Sequence, residues 1–121
     1  MTDIQAELYL QDRAYNEGIT VEELLDMTPS SVSDDPIESA TFWQGRDYSH
    51  VMPVSTHPHL ADDADNAMPE DPSVNRSRGA EPMTELEKMI AEYDNELFAA
   101  QIDAEYTHDD YVIDFQPLVF F

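Results

Sequence analysis

Cysteine is absent from these 121 residues, which excludes disulfides, thiolate nucleophiles and zinc–thiolate sites. Basic residues are almost absent. Arg13, Arg46, Arg76, Arg78 and Lys88 face 27 Asp and Glu, for a formal net charge of −22. A chain so charged repels nucleic acid and anionic membranes and is drawn to basic surfaces. Direct nucleic-acid or membrane binding is therefore not expected, and a basic protein partner is. Glycines number three, too few for a Gly-rich phosphate loop. No apolar run approaches the ~20 residues of a membrane span. The opening "MTDIQAELYL" is acidic and helix-patterned, unlike a signal peptide. Leu, Ile, Val and Phe make up about a fifth of the chain, near the composition at which a highly charged polypeptide needs help to fold.

What is present divides the chain into three regions of one small domain, 1–27, 28–82 and 83–121. Residues 2–17 read as a helix, with Thr2 and Gln5 as a capping box and Gly18 as a C-cap. A second helix follows in "GITVEELLDMTP". Thr20 caps it with Glu23, Ile19 staples to Leu24, and Thr28-Pro29 stops it. The two are expected to form a helical hairpin with an apolar seam of Ile4, Leu8, Val21, Leu24 and Leu25. Acids at Glu22, Glu23 and Asp26 exclude a DNA-reading helix at this place.

Residues 28–82 hold seven of the eight prolines. They are expected to be extended and irregular, apart from the apolar island "ATFWQGRDYSHVMPV". That island reads as a short hairpin turning at Gln44-Gly45, as a mini-core on the helices, or as an anchor for a partner through Phe42, Trp43 and Tyr48. Residues 83–106 carry the strongest helical signal. Thr84 and Glu87 form a third capping box, and Leu86, Met89, Ile90, Tyr93, Leu97, Ala100 and Ala104 follow helical spacing. The end, "YVIDFQPLVFF", is apolar and β-prone, and Phe120 and Phe121 are further anchor candidates. The expected fold is mainly α: an N-terminal hairpin, a long irregular Pro-rich middle, one long C-terminal helix, and room for a short β element at the C-terminus.

Chemistry finds little support. His57 and His59 in "HPHLADD" match no metal-ligand spacing, and Pro58 stiffens the loop without positioning both imidazoles. A calcium loop begun at Asp63 fails at Ala67 and Met68, where the pattern needs a ligand and a glycine. No Gly-x-Ser-x-Gly occurs, and the chain has little core from which to build pocket walls. No enzyme, metal or cofactor is expected.

The acids carry the remaining information. They are spread evenly, with seven in residues 1–27, ten in 28–82 and ten in 83–121. On the long helix Glu85, Glu92, Glu96 and Asp103 form a stripe, flanked by Glu87, Asp94 and Glu105. These seven acids span roughly 30 Å at about 1.5 Å rise per residue. That density approaches one DNA strand's phosphate every ~3.4 Å. Small, very acidic phage proteins that block restriction enzymes or other DNA-binding systems resemble this chain in size, charge and lack of cysteine. The resemblance implies a nucleic-acid mimic in the host cytoplasm. Its seven helix acids would stand in for phosphates, extended by Glu22, Glu23 and Asp26. A virion structural or assembly subunit, docking through a Pro-rich arm and apolar end, competes with that reading. So do a partly disordered chaperone of a basic partner and a halophile's acidic surface.

Overall fold

A computed structural model describes residues 1–107. Among these, six α-helices and one two-stranded antiparallel sheet make a mainly helical fold. Helices α1 (Asp3–Glu17), α2 (Val21–Asp26), α3 (Ser30–Ser33) and α4 (Pro36–Gln44) run consecutively. Strand β1 (Asp47–His50) and strand β2 (Ala67–Glu70) flank a loop containing two short 3-10 turns, Pro58–Leu60 and Ala64–Asn66. Helices α5 (Pro72–Arg78) and α6 (Glu85–Thr107) complete the described chain.

The helix starts are those the sequence encodes. Thr2 accepts from the Gln5 amide at 3.1 Å while the Gln5 side chain accepts from Thr2 N–H at 2.8 Å. Thr20 and Glu23 repeat that exchange at 3.1 and 2.9 Å, and Thr84 and Glu87 at 3.1 and 2.8 Å. Each box satisfies amides that a helix N-terminus otherwise leaves unbonded. Gly18 ends α1 in the left-handed region (φ 78°), as a C-cap glycine does.

The expected irregular middle is corrected. Residues 28–82 hold α3, α4, both strands and α5. Four of their seven prolines, Pro29, Pro36, Pro58 and Pro72, stand at the starts of helices or turns. Pro36 and Pro72 occupy first-turn positions where no amide hydrogen bond is lost. Asp35 and Asp71 cap those helices through their carboxylates. The hairpin expected at Gln44-Gly45 is instead the C-terminus of α4, where the Gly45 amide donates to Phe42 O. A Cβ on Gly45 would lie 2.7 Å from the Phe98 ring, so close helix approach excludes a side chain there. The strands pair farther on, Asp47 with Glu70 through His50 with Ala67. The β element expected within "YVIDFQPLVFF" lies outside the described residues.

The core lies where α1, α3, α4 and α6 meet. Phe42 and Trp43 are fully buried, edge to face at 5.7 Å. Phe42 also meets Phe98 at 5.6 Å, and Trp43 meets Tyr48 at 6.2 Å. The Trp43 indole N–H donates to Thr28 Oγ1 (2.8 Å), which donates onward to Leu24 O (2.7 Å). Satisfying that N–H removes the main cost of burying tryptophan. Arg13 lies over the indole and donates to the carbonyls of Trp43 and Arg46, clamping α1 to α4.

Candidate partner-binding face

Helix α6 orients the principal candidates, and it is turned opposite to the simplest reading of its pattern. Its buried line is Ala91, Asn95, Ala99 and Ile102, with Phe98 beside it. Those side chains are mostly small, so α6 packs closely on α3, α4 and β2. Asn95 fixes the rotation by donating to Pro69 O at 2.7 Å and accepting from Arg46 at 3.1 Å. Arg46 also lies 4.2 Å above the Phe98 ring and donates to Asp94 at 2.6 Å. At about 100° per residue, Leu86, Tyr93, Leu97 and Ala100 then point away from the core. Leu86, Met89, Ile90, Tyr93 and Leu97 are 47–68% exposed. Helix α1 does the same. It buries Ala6, Leu10 and Ala14 and exposes Ile4, Leu8 and Tyr15. The hairpin seam expected through Ile4 and Leu8 is corrected accordingly, while Leu24 is fully buried.

The acids of α6 border this apolar ridge on both sides. Glu85, Glu92, Glu96 and Asp103 fall along one edge, and Glu87, Asp94 and Glu105 along the other. They are not equally available. Asp94 is paired with Arg46, and Glu87 caps the helix and lies 3.8 Å from Arg78. The Thr84 backbone hydrogen bond is the first cause holding the Glu87 carboxyl below its usual range. Asp103 hydrogen-bonds the buried Glu38 carboxyl. Those three are therefore engaged by the chain itself. Glu85 is exposed and meets Lys88 at 3.3 Å, and Glu105 is exposed. Glu92 and Glu96 are exposed and carry no ion pair among the described residues.

The positive charges explain this imbalance. All five bases are held in intramolecular ion pairs: Arg13–Glu17, Arg46–Asp94, Arg76–Asp47, Arg78–Glu70 and Lys88–Glu85. Among the described residues no arginine or lysine is left to neutralise Glu92 and Glu96.

Tertiary structure joins two acidic patches that lie far apart in sequence. Asp26, Glu92 and Glu96 line one groove of about 620 Å³, together with Met27, Pro29, Met68 and Pro69. Glu23 and Asp65 continue it past Asp26 into an adjoining hollow. Glu22 is exposed on α2 but lines neither. The groove brings apolar and acidic side chains together. Such a surface suits a lysine or arginine, whose aliphatic stem lies on Met and Pro while its charged head meets carboxylate. Sequence reasoning missed Asp65, Met27 and Met68, because nothing local links Ala64–Glu70 to α2 or α6.

Phe42, Trp43 and Tyr48 are corrected as partner anchors. They are core residues at 0, 0 and 9% exposure. Burial, then the nearby acids Glu17, Glu23, Asp62 and Asp63, pushes the Tyr48 phenol up to about 12. Phe120 and Phe121 lie outside the described residues. His57 and His59 stand 6.0 Å apart, centroid to centroid, at an exposed turn. Among the described residues no group of three or more His, Asp or Glu is placed to hold a metal ion. No described helix is long and apolar enough to cross a membrane. Comparison with protein families, curated proteins and solved structures finds no match.

Proposed function

We propose that this protein works by binding rather than by catalysis, and that its partner is a protein with a basic, nucleic-acid-binding surface. It would occupy that surface as a phage-type nucleic-acid mimic. The single observation that carries this reading is the fate of the charges. Every base is consumed inside the chain, while Glu23, Asp26, Glu92 and Glu96 converge on connected hollows. Adjacent like charges one helical turn apart cost a few tenths of a kcal/mol, so Glu92 and Glu96 work against helix stability when nothing answers them. A basic partner removes that cost and gains long-range attraction besides. A mimic also needs its charges on a firm frame. The elements formed by residues 28–82, cross-linked by side-chain hydrogen bonds, support that requirement.

A second reading, an assembly or virion subunit, is favoured by a different observation. The exposed apolar residues of α1 and α6 are the kind of surface a neighbouring subunit covers.

The test is retention of basic proteins from lysate on the immobilised full chain, with competition by duplex DNA. The wild type is expected to release its partners at high salt and to lose them to DNA. The double variant Glu92→Lys/Glu96→Lys is expected to retain at least tenfold less. Equal retention by that variant, or indifference to DNA, would overturn the mimic.

A further inference from the structure

We infer that the solvent-facing ridge of α6 is a docking site for a cationic amphipathic helix, one with apolar residues at heptad spacing and lysine or arginine along both edges. The inference rests on the proposed binding of a basic protein and names the form its partner takes. Leu86, Ile90, Tyr93, Leu97, Ala100 and Ala104 recur at intervals of four, three, four, three and four. That is the a/d spacing of a coiled-coil strip. The core does not use it, since α6 is packed through its opposite side and the ridge residues stand in solvent. A 23-residue helix with two apolar faces, one buried and small, the other exposed and large, is built to be covered twice.

Charge decides among the occupants. The exposed acids bordering the strip are Glu85, Glu92 and Glu96 on one edge and Glu105 on the other, and the one lysine of α6, Lys88, is on the side toward the core. A second copy of this chain would set acid rows against acid rows between two molecules of charge −22 each, which opposes pairing. A helix with basic edges meets those rows with opposite charge. Beside Ile90, between α5 and α6, lies a cleft of about 300 Å³ lined by Val74, Ala91, Asp71 and Glu87 among others. It can take one apolar side chain of the partner. Hydrogen bonds from the Ser73 side chain and the Val74 amide hold the Asp71 carboxyl below its usual range, so the cleft lining keeps a negative charge there.

The experiment uses the full chain and three synthetic peptides of about 21 residues. One has Leu at a and d with Lys at e and g. The second has the same composition with the heptad order scrambled. The third has Glu in place of Lys. Fluorescence anisotropy at moderate salt is expected to show 1:1 binding of the first at least tenfold tighter than the second, and none of the third. Ile90→Asp/Tyr93→Asp is expected to abolish that tenfold preference while the thermal midpoint stays unchanged, since both side chains are exposed. Equal binding of ordered and scrambled Lys peptides would overturn the ridge as a site yet leave attraction to basic proteins standing. Loss of all binding to Lys peptides would sink both readings. Sedimentation showing a dimer that Ile90→Asp dissociates would assign the ridge to a second copy. Binding only after deletion of residues 108–121 would assign it to the chain's own end. Either result overturns the proposal.

Discussion

Two regions of this molecule are held together by different physics. The helical region, α1 to α4 with α6, is closed by apolar contact around Phe42, Trp43, Leu24 and Val32. The region of β1, β2 and α5 is closed by buried polar bonds. Glu70 and Arg78 are an ion pair with side chains only 2 and 6% exposed. Ser49 Oγ lies 2.9 Å from Glu70 and 2.8 Å from Asn75, its single proton serving one acceptor at a time, and Arg78 donates to Ser49 (3.1 Å). Hydrogen bonding to Glu70 is the first cause of the raised Arg78 pKa, so the guanidinium remains charged throughout. Nearby, Arg76 grips Asp47 with two bonds of 2.9 and 3.1 Å. Burial works against ionisation of Asp47, but the bonds from Asn75 and Arg76 outweigh it and hold its carboxyl low. A small, acidic chain has too few large apolar residues for two hydrophobic cores. It builds one from carbon and assigns two of its five cations to the other.

The largest way to break the comparison is in the apolar region. Trp43→Ala is expected to cost about 3–5 kcal/mol, the range for deleting a buried aromatic. Chemical denaturation would read it, and a cost under about 1 kcal/mol would show that the indole is not central. Next comes the polar region. Arg78→Ala leaves Glu70 charged and buried and is expected to cost on the order of 3 kcal/mol. Replacing both partners by Met is expected to recover most of that loss, because a well-packed apolar pair needs no counter-charge. If the double variant is as unstable as the single, the network holds the strands by something other than charge compensation.

A subtler effect joins the two halves of the helical region. Glu38 on α4 is buried, one of its oxygens has no hydrogen-bond partner, and Asp103 of α6 is hydrogen-bonded to it. Burial first, then the contact with Asp103, raises its pKa from an ordinary 4.5 to about 7. The folded chain thus keeps a proton that the unfolded chain releases above pH 4.5. Stability from this group is full below pH 4.5 and is lost as pH rises toward 7. Glu38→Gln is expected to raise the thermal midpoint at pH 8 and to flatten its fall between pH 5 and 7. An unchanged slope would remove Glu38 as its source. The smallest stability effect belongs to the binding face. Glu92→Lys/Glu96→Lys is expected to shift stability by no more than about 0.5 kcal/mol each, since both are exposed and unpaired. A larger loss in denaturation would mean that these acids support the fold rather than meet a partner.

Capping chemistry was the most legible part of the fold. Thr2, Thr20 and Thr84 each precede a Gln or Glu at the third helical position, and each starts a helix. These boxes involve neighbours three residues apart, so no long-range information is needed. The middle was misread because its prolines were counted as breakers. Pro36 and Pro72 follow Asp35 and Asp71, and an acid before a first-turn proline is a helix start. The candidate site was half legible. Glu92, Glu96, Glu23 and Asp26 are placed on the surface where local reading puts them. Their joining through Met68 and Asp65 depends on how β2 lies on α6.

By itself, the sequence determined the charge, the three box-capped helix starts and the scarcity of large apolar residues, since each is a matter of composition or of neighbours within one turn. Tertiary structure decided which way the long helices face. Both α1 and α6 carry two lines of apolar residues, and periodicity cannot choose between them. Close packing chose the small ones, Ala6 and Ala14, Ala91 and Ala99, because only they let neighbouring backbones approach. Most of the larger ones, Ile4, Leu8 and Tyr15 on α1 and Leu86, Ile90, Tyr93 and Leu97 on α6, were left outside, with Leu10 and Ile102 the buried exceptions.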